Sequence, residues 1–483
     1  MENRNSSCDS SGWDLEKILS EKSDDRVNDA LQDKVVFLTG ATGMLGIALV
    51  VKMALDTTID RIYVLVRGGL ERFWTRMRQH LPAALVESLQ SSKKTVVMSG
   101  DITCPQLGLQ QEEIVQLRQV VTIFIHAAST INLKQKVEHT TKDIILPSLE
   151  VAKLAISCPC LERFVYVSTA YVNAFLHFQA SKGGPIPECK VEERIYPLRN
   201  DVPFDNSAAE LKNLLEFGTT PEYSCIPHPY AYAYAKHLTE RLLLGAFSEA
   251  GLEHALMIFR PSIFGPAERE PFPQFEVAGS APGSSMLAFI LASPPARARF
   301  ACHISDPANA KFDEIPIDIV VNRLLVHIAY GSSGCVHAVS GPLGSTPFAE
   351  TFKAVVKFRP WWWGKPKVKW CKADKDAAKA CFMSKVWMIL GCSFSFSEKK
   401  TQDLWLSMDD ATRANWPLWR SRPPGNMYDW SRRVPNANAL LCAFMRKRYG
   451  RSGSFAATII QSKTAPKPVD HERDTERWIP KLP

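Results

Sequence analysis

Several features that would define a class of protein are missing from this chain of 483 residues. Its 12 cysteines include no Cys-x-x-Cys pair and no Cys/His set with zinc-finger spacing, which argues against a structural zinc site. Cysteines scattered in this way are typical of a reducing, intracellular compartment rather than of a secreted disulfide framework. With 25 glycines, 32 prolines and 46% hydrophobic residues, the composition excludes collagen-like and disordered proteins. We expect a globular chain without a metal ion.

Long apolar runs are missing as well. The first ten residues (MENRNSSCDS) contain no apolar stretch, so we expect no signal peptide. No window of about 18 uninterrupted apolar residues exists, so we expect no transmembrane helix. The final tripeptide, Lys481-Leu482-Pro483, is not a peroxisomal signal. These absences predict an intracellular, cytoplasmic protein and leave open a peripheral contact with a membrane, the endoplasmic reticulum and the peroxisome included.

Charge and tryptophan are unevenly distributed along the chain. Residues 351–483 contain 26 Lys and Arg against 11 Asp and Glu, a net charge of +15, whereas residues 1–350 carry −7. Ten of the 12 tryptophans lie beyond residue 360. Such a change in composition predicts a change of domain, and the length suits two to three domains. The predicted parts are an acidic flexible tail (1–33), an α/β domain (34–345), a basic, Trp-rich helical domain (346–455) and a second tail (456–483).

The α/β segment alternates between buried strands and helices. Short apolar runs separated by helical stretches predict a doubly wound parallel sheet with helices on both faces, the Rossmann type of architecture. Long connections rich in Pro and Gly follow the fifth and sixth strands, and loops at the carboxyl ends of such strands build the ligand crevice. The predicted strands are 34–39, 61–67, 95–99, 121–126, 163–168 and 255–260.

A glycine-rich turn joins the first strand to the first helix. The run TGATGMLG has the strand–turn–helix context that a dinucleotide fingerprint requires. Gly40 and Gly43 permit a tight turn and a close approach of the backbone to a pyrophosphate, and Gly46 lets the helix pack on the strand. The predicted cofactor-binding residues of this turn are Thr39, Gly40, Thr42, Gly43, Met44, Leu45 and Gly46.

The ends of the second and third strands bear on the identity of the cofactor. An NAD site has an acid after the second strand for the ribose 2′-hydroxyl, whereas an NADP site has a cation for the 2′-phosphate. Here the strand ends at Arg67, which favours NADPH; a solvated strand end is the alternative. Asp101, followed by Ile102, either accepts a hydrogen bond from the adenine amino group or caps a helix.

Two further motifs carry chemistry. Tyr232 and Lys236 lie four residues apart at the start of a predicted helix, so both reach one site. Tyr230 and Tyr234 make the register arguable, but only Tyr232 lies four residues before Lys236, which settles it. An ammonium beside a phenol favours its ionised form. Thr169 follows the fifth strand, where its hydroxyl either polarises a carbonyl oxygen or forms a turn.

Together these motifs resemble the extended short-chain dehydrogenase/reductase superfamily over roughly residues 34–345. Longer runs are similar to the fatty acyl-CoA reductase (male-sterility-type) family, although Gln274 and Phe275 stand where that family usually has Gly-Trp. Beyond residue 350 the similarity is looser. The runs are GDIT with LGL (100–109), VYVSTAYVN (165–173), FRPSIFGPAEREPFP (259–273) and IPID (315–318).

The resemblance implies a site and a reaction. Thr169, Tyr232 and Lys236 match the catalytic positions, with Lys236 also touching the cofactor. The NADPH positions extend to His126 and Ala127, although a packed strand-end histidine is equally compatible with the sequence. The implied reaction is NADPH-dependent reduction of a long-chain acyl-CoA thioester to a primary fatty alcohol through an aldehyde.

Alternative functions stay open at this stage. One is an aldehyde-forming thioester reductase acting on a carrier-protein-bound acyl chain, and another is an epimerase or hydroxysteroid dehydrogenase of the same superfamily. A third is a non-catalytic NADPH-binding protein, which the intact Thr169, Tyr232 and Lys236 set argues against. The basic, Trp-rich region suits a membrane interface or the anionic phosphates of CoA, or its tryptophans belong to the core of a helical cap. No nucleic-acid-binding motif accompanies the charge, so we expect no nucleic acid partner.

Overall fold

The computed structural model describes seven stretches of the chain and two single residues, Arg433 and Ala437. The stretches are 25–133, 135–181, 184–198, 206–292, 297–359, 364–372 and 388–420. The strands are β1 (Val35–Thr39), β2 (Arg61–Val66), β3 (Thr95–Ser99), β4 (Ile123–His126), β5 (Arg163–Val167), β6 (Cys189–Val191), β7 (Leu256–Pro261), β8 (Ile263–Gly265), β9 (Arg297–Cys302), β10 (Lys311–Phe312), β11 (Glu314–Pro316), β12 (Gly334–Ala338), β13 (Thr346–Pro347), β14 (Lys367–Lys372) and β15 (Phe394–Phe396).

Helices connect most of these strands. They are α1 (Arg26–Leu31), α2 (Met44–Asp56), α3 (Gly69–His80), α4 (Ala83–Ser92), α5 (Gln111–Val120), α6 (Val137–Thr140), α7 (Leu146–Ile156), α8 (Phe175–Ala180), α9 (Ser207–Phe217), α10 (Pro221–Cys225), α11 (Ala231–Glu249), α12 (Pro282–Ala292), α13 (Ile317–Ala329), α14 (Gly341–Gly344), α15 (Phe348–Val356), α16 (Lys399–Ser407) and α17 (Asp410–Asn415). A π-helical stretch, Thr141–Ile145, joins α6 to α7. Short 3-10 turns lie at Pro105–Gly108, Ala170–Asn173, Glu253–Ala255, Pro307–Asn309 and Met388–Gly391.

Seven strands form one sheet in the order β12-β7-β5-β4-β1-β2-β3, and every neighbouring pair is parallel. From β1 the chain runs outward to β2 and β3 and then returns to β4 on the other side. The strand order therefore reverses between β1 and β4, and this reversal opens a crevice at the carboxyl ends of the strands. The predicted doubly wound α/β sheet is confirmed.

Each face of the sheet has its own apolar core. Val36 and Leu38 pack with α2 and α13 on one face, whereas Phe37 packs with α5, α7 and α11 on the other. The alternation follows the two-residue period of a strand. Because helices cover both faces, the strands are apolar along their whole length, which is why the sequence shows them so clearly.

The segment beyond residue 345 pairs with what precedes it. Among its described residues, β14 adds in parallel to β9, and β15 adds in parallel to β6. Trp405, Trp416 and Trp419 are buried in the same core as α2 and α13, the core of the sheet and not that of a separate helical cap. The indole Nε1 of Trp416 donates to a carboxylate oxygen of Asp25, 2.9 Å away, and so ties this segment to the start of the described chain.

Several elements differ from the sequence-based expectation, among them the strands β14 and β15 within the region predicted to be helical. The seventh strand, β12, was not predicted, because its short run GCVHA begins with glycine and contains histidine. It is a strand because it completes the sheet beside β7. Residues 26–31, part of the predicted N-terminal tail, form α1, whose Val27 and Leu31 are buried in the core. Residues 1–24 and 438–483, which include most of both predicted tails, lie outside the described residues.

Candidate functional site

The glycine-rich turn brings backbone against backbone at the end of β1. Gly40 has a φ of +79°, and a Cβ atom there would lie 2.7 Å from the backbone of Ala127. A Cβ atom on Gly46 would lie 2.1 Å from the carbonyl oxygen of Gly40. Gly43 precedes α2 and offers no side-chain cap, so the first N–H groups of this 13-residue helix stay available. Such a helix N-terminus is suited to a pyrophosphate.

A cleft of about 620 Å³ opens in front of this turn. The predicted residues that line it are Thr39, Gly40, Thr42, Gly43, Arg67, Asp101, Ile102 and Ala127. Met44, Leu45 and Gly46 are buried in the first turn of α2 and support the cleft from behind. Asp101 has a second role, because its Oδ1 accepts hydrogen bonds from the backbone N–H (3.0 Å) and the hydroxyl (2.9 Å) of Thr103. The open helix end at this cleft fits a dinucleotide.

Arginines gather at the edge of this cleft that lies beyond β2. Arg67 and Arg72 both line it, are exposed, and have no hydrogen-bond or ion-pair partner among the described residues. Arg76 donates from Nη2 to the carbonyl oxygen of Thr42 in the glycine-rich turn, 3.3 Å away. Burial, together with the charge of Arg72, lowers the pKa of Arg76. These unneutralised cations suit an anion. Arg72 and Arg76 were not predicted, because cations four residues apart on a helix also fit a solvated face.

His126 does not face the cleft. Its Nδ1 lies 2.7 Å from the hydroxyl of Thr39, and its Nε2 lies 3.0 Å from the hydroxyl of Ser148. The Thr39 hydroxyl accepts from the backbone N–H of Ala128, and the Ser148 hydroxyl donates to the carbonyl oxygen of Ile144. Thr39 therefore donates to Nδ1, and the proton of the neutral ring resides on Nε2. Burial lowers the pKa of His126 to about 3, so the ring stays neutral. This is the geometry of a packed strand-end histidine.

The remaining predicted residues meet where β5 ends and α11 begins. The ammonium of Lys236 donates to the carbonyl oxygen of Val167, 2.8 Å away and two residues before Thr169. The same nitrogen lies 6.0 Å from the centre of the Tyr232 ring. The Oγ1 of Thr169 accepts from the backbone N–H of Tyr171, so its own proton is directed elsewhere.

The hydrogen bonds of Tyr230 and Tyr234 distinguish these two tyrosines from Tyr232. Tyr230 accepts a hydrogen bond from the backbone N–H of Met388, and Tyr234 is bonded to Thr220 and Glu210. The hydroxyl of Tyr232 has no hydrogen-bond partner among the described residues, so it is the one available to a substrate.

Burial governs the protonation of this centre. It raises the pKa of Tyr232, which therefore keeps its proton at neutral pH. It also lowers the pKa of Lys236 to about 7, with the carboxylate of Glu240 acting in the opposite direction. In the sequence-based argument the ammonium favoured the ionised phenol. In the structure desolvation outweighs that effect, so the phenol of Tyr232 stays protonated.

Two contacts near the centre were not singled out from the sequence. Glu240, one helical turn after Lys236, forms a fully buried ion pair with Arg260, whose Nε lies 2.9 Å from Oε1. Asp318 accepts hydrogen bonds from the backbone N–H groups of residues 268–270. The second contact links two of the runs noted in the sequence, because Asp318 in the IPID run positions the loop that contains the EPFP run.

The described residues hold no helix that combines the length and the apolar character needed to cross a bilayer. In the same part of the chain, no group of three or more His, Cys, Asp or Glu side chains is arranged to hold a metal ion.

Comparison with solved structures concerns the fold. The terminal R domain of the myxalamid PKS-NRPS pathway is 17% identical, with a TM-score of 0.52, over 87% of this chain and 93% of that one. A thiolation-reductase di-domain from an archaeal non-ribosomal peptide synthetase is 16% identical, with a TM-score of 0.52, over 88% and 84% of the two chains. Both support the Rossmann-like architecture.

Comparison of sequences identifies the family. A putative fatty acyl-CoA reductase of Drosophila melanogaster is 27% identical over 318 residues, which are 64% of this chain and 57% of that protein. Fatty acyl-CoA reductase 1 of Homo sapiens is 26% identical over 307 residues, 62% of this chain and 55% of that protein. The matches thus span little more than half the length of these relatives. Residues 38–324 match the model of an NAD-binding family described as male sterility protein. The match confirms the resemblance read from the sequence and supports a nicotinamide cofactor: the chain belongs to the male sterility protein family.

Proposed function

We propose that this chain is an NADPH-dependent reductase that converts a long-chain acyl-CoA thioester to a primary fatty alcohol through an aldehyde. The observation that carries the proposal is the arrangement of Lys236, Tyr232 and Thr169 at the same carboxyl edge of the sheet as the dinucleotide cleft. Membership of the male sterility family and relatives named fatty acyl-CoA reductase support the acyl substrate.

The cleft favours NADPH over NADH. Arg67 and Arg72 supply unpaired cations where a 2′-phosphate is recognised, and the sequence supplies no acid directly after β2. The open N-terminus of α2 would bind the pyrophosphate, and Asp101 would accept from the adenine. Lys236 retains donors for the ribose after its bond to Val167. When bound, NADPH supplies the hydride, two electrons for each reduction.

Two hydroxyl groups would stabilise the substrate oxygen. Thr169 already accepts one hydrogen bond, so its O–H is free to donate to the thioester carbonyl, and Tyr232 donates from the other side. Donors fixed in advance at the point where negative charge develops provide the largest electrostatic contribution to such reactions. After hydride addition to the carbonyl carbon, the oxygen would take the proton of Tyr232 and a hemithioacetal would form. The Tyr232 phenolate would then take the hydroxyl proton as the C–S bond breaks, which releases the thiolate and leaves an aldehyde. A second reduction in the same site produces the alcohol.

Product analysis tests the proposal. The purified chain is incubated with NADPH and acyl-CoA thioesters of eight to twenty carbons, while NADPH loss, free thiol and extracted products are measured together. Two NADPH consumed per thiol, with a fatty alcohol product, is the expected result. One NADPH per thiol with an aldehyde would replace it by the aldehyde-forming alternative. Absence of NADPH oxidation with every thioester, CoA-linked or carrier-linked, would overturn it.

A further inference from the structure

Strands β9 and β14 carry many cations and no acids. The fifteen residues 297–302 and 364–372, here called the basic ribbon, include no Asp or Glu. The ribbon contains six cationic residues: Arg297, Arg299, Lys365, Lys367, Lys369 and Lys372. The parallel register places Lys369 opposite Arg299 and Lys367 opposite Arg297. Like charges directly opposite each other on one face of a sheet are destabilising, so this arrangement is costly unless an anion neutralises it.

The ribbon has an apolar face and a charged face. Phe300 and Trp370 point inward, where their rings lie 5.8 Å apart and pack on Phe348. Arg299 and Lys369 point outward and are exposed, in the two-residue alternation of a strand. Core packing therefore fixes the direction of the cations, which a mobile loop of lysines would not achieve.

Four cations of the ribbon have described side chains, and these four are unpaired. Arg299, Lys365, Lys367 and Lys369 have no ion-pair or hydrogen-bond partner for their side chains among the described residues. At another exposed position a cation is neutralised by its neighbour: the ammonium of Lys399 lies 2.8 Å from the carboxylate of Asp403. Unneutralised charge held at fixed spacing is suited to a ligand with several phosphates.

A short path of contacts leads from the ribbon to the reaction centre. Gly391 packs against β9 so closely that a Cβ atom would meet the carbonyl oxygen of Ala301, and its own carbonyl oxygen accepts from the N–H of His303 at 2.9 Å. Met388, at the other end of the same 3-10 turn, donates its N–H to the Tyr230 hydroxyl at 2.9 Å. A 3-10 turn rises about 2.0 Å per residue and a strand about 3.3 Å per residue, so the length of this path sets an upper limit of roughly 20 Å on the distance between Tyr230 and Arg299.

We propose that the basic ribbon binds the phosphates at the adenosine end of CoA while the thioester lies at Tyr232 and Thr169. This inference rests on the proposed function and identifies the carrier. An extended pantetheine arm spans roughly 15 Å, as judged from extended-chain dimensions, which matches the available separation. CoA carries a pyrophosphate and a 3′-phosphate, whereas a carrier protein presents a single phosphodiester. The ribbon therefore selects acyl groups on free CoA.

Substrates that lack successive phosphates test the site. We expect KM to rise from acyl-CoA to its 3′-dephospho form and again to the S-acyl pantetheine that carries the same acyl group, with kcat within about twofold. In the variant Lys367→Gln/Lys369→Gln, KM for acyl-CoA rises about tenfold, as two lost phosphate contacts imply, while KM for acyl-pantetheine stays the same. Lys367→Arg/Lys369→Arg restores the wild-type KM. The matched control Lys153→Gln/Lys212→Gln removes two exposed cations elsewhere and leaves every KM unchanged.

Nucleotide inhibitors separate the ribbon from the cofactor cleft. Adenosine 3′,5′-bisphosphate should compete with acyl-CoA, and the lysine variant should weaken that inhibition. Adenosine 2′,5′-bisphosphate should compete with NADPH and act equally on both proteins. Thermal unfolding of each variant verifies that the substitutions have not changed the fold.

Several outcomes would overturn the inference. The first is equal KM values for the three thioesters, and the second is an unchanged KM for acyl-CoA in the lysine variant. The third is a lysine variant that no longer binds vesicles of phosphatidylserine and phosphatidylcholine while its KM stays the same, which would make the ribbon a membrane surface. Calorimetric binding of CoA itself, wild type against variant, tests the ribbon without turnover. If CoA binds through the lysines but no thioester is reduced, the proposed function fails and the phosphate site stands.

Discussion

The cleft proposed for the dinucleotide and the proposed reaction centre lie at the same edge of one sheet but are built in opposite ways. The cleft is open, and much of its lining is backbone, with glycines at the points of closest approach. At the reaction centre Lys236 is fully buried, and the functional groups are side chains whose protonation depends on that burial. Recognition of the cofactor thus depends on shape and net charge, whereas chemistry depends on a few pKa values. Substitutions should therefore change cofactor binding and turnover independently of each other.

The largest effect is expected at Tyr232. Because its hydroxyl has no partner in the described chain, Tyr232→Phe should leave the fold intact and lower kcat about a thousandfold, in the range for loss of a proton donor. The dissociation constant for NADPH should not change. Steady-state kinetics and cofactor titration by fluorescence measure the two quantities.

Tyr234→Phe is the matched control for that substitution. It removes a hydroxyl bonded to Thr220 and Glu210, so it should reduce the free energy of unfolding by about 1–3 kcal/mol and leave kcat nearly unchanged. Full turnover by Tyr232→Phe would show that another group provides the proton.

The next effect concerns the cleft. Arg67→Ala/Arg72→Ala should raise KM for NADPH about a hundredfold, because two charged contacts to a phosphate are lost, with kcat unchanged. KM for NADH, which has no 2′-phosphate, should stay the same in this variant. A parallel rise for both cofactors would mean that the arginines shape the cleft and do not read the phosphate.

A smaller effect reports on the burial of Lys236. Its pKa falls from 10.5 in the unfolded chain to about 7 in the folded one, so between these values the unfolded chain binds more protons. The free energy of unfolding should therefore rise with pH from about 7 to 10.5. Relative to Lys236→Met, the wild type should gain about 1–3 kcal/mol between pH 7 and pH 9, measured by urea denaturation without cofactor. Parallel curves for the two proteins would show that the ammonium is solvated.

The smallest effect concerns the hydrogen bonds of the Thr39 hydroxyl, which contacts Ala128 and His126. Thr39→Val leaves the Ala128 N–H and the His126 Nδ1 without the Thr39 hydroxyl, so it should lower the free energy of unfolding by about 1–2 kcal/mol. KM for NADPH should rise a few-fold, since Ala128 lines the cleft. Thr39→Ser keeps the hydroxyl and should behave as wild type. Equal free energies of unfolding and equal KM values for the valine and serine variants would exclude a role for these hydrogen bonds.

What the sequence predicts well is what local chemistry determines. The strands are visible because both faces of the sheet are buried, and the glycine-rich turn is visible because only glycine tolerates such close backbone contacts. The pair Tyr232 and Lys236 is visible from helical spacing alone. What the sequence does not show is that the two neighbouring tyrosines already have partners, Tyr230 at Met388 and Tyr234 at Glu210.

Long-range contacts explain what the sequence could not show. Whether His126 touches a ribose or packs inside depends on Ser148, 22 residues later, and the direction of the phenol's pKa depends on burial. Strand β12 exists because β7 leaves an edge for it. The opposed cations of the basic ribbon come from segments about seventy residues apart. Only the pairing of β9 with β14 shows that these charges lie opposite each other.

The pairing of β6 with β15 and of β9 with β14 also has a practical consequence. A chain truncated at residue 345 would lose both partner strands and leave the N–H and C=O groups of two strand edges unpaired, beside apolar faces such as that of Phe300. Unpaired edges with exposed apolar side chains promote intermolecular association. Expression of the first 345 residues alone should therefore produce aggregates, whereas supplying the remaining residues as a separate polypeptide should recover soluble material.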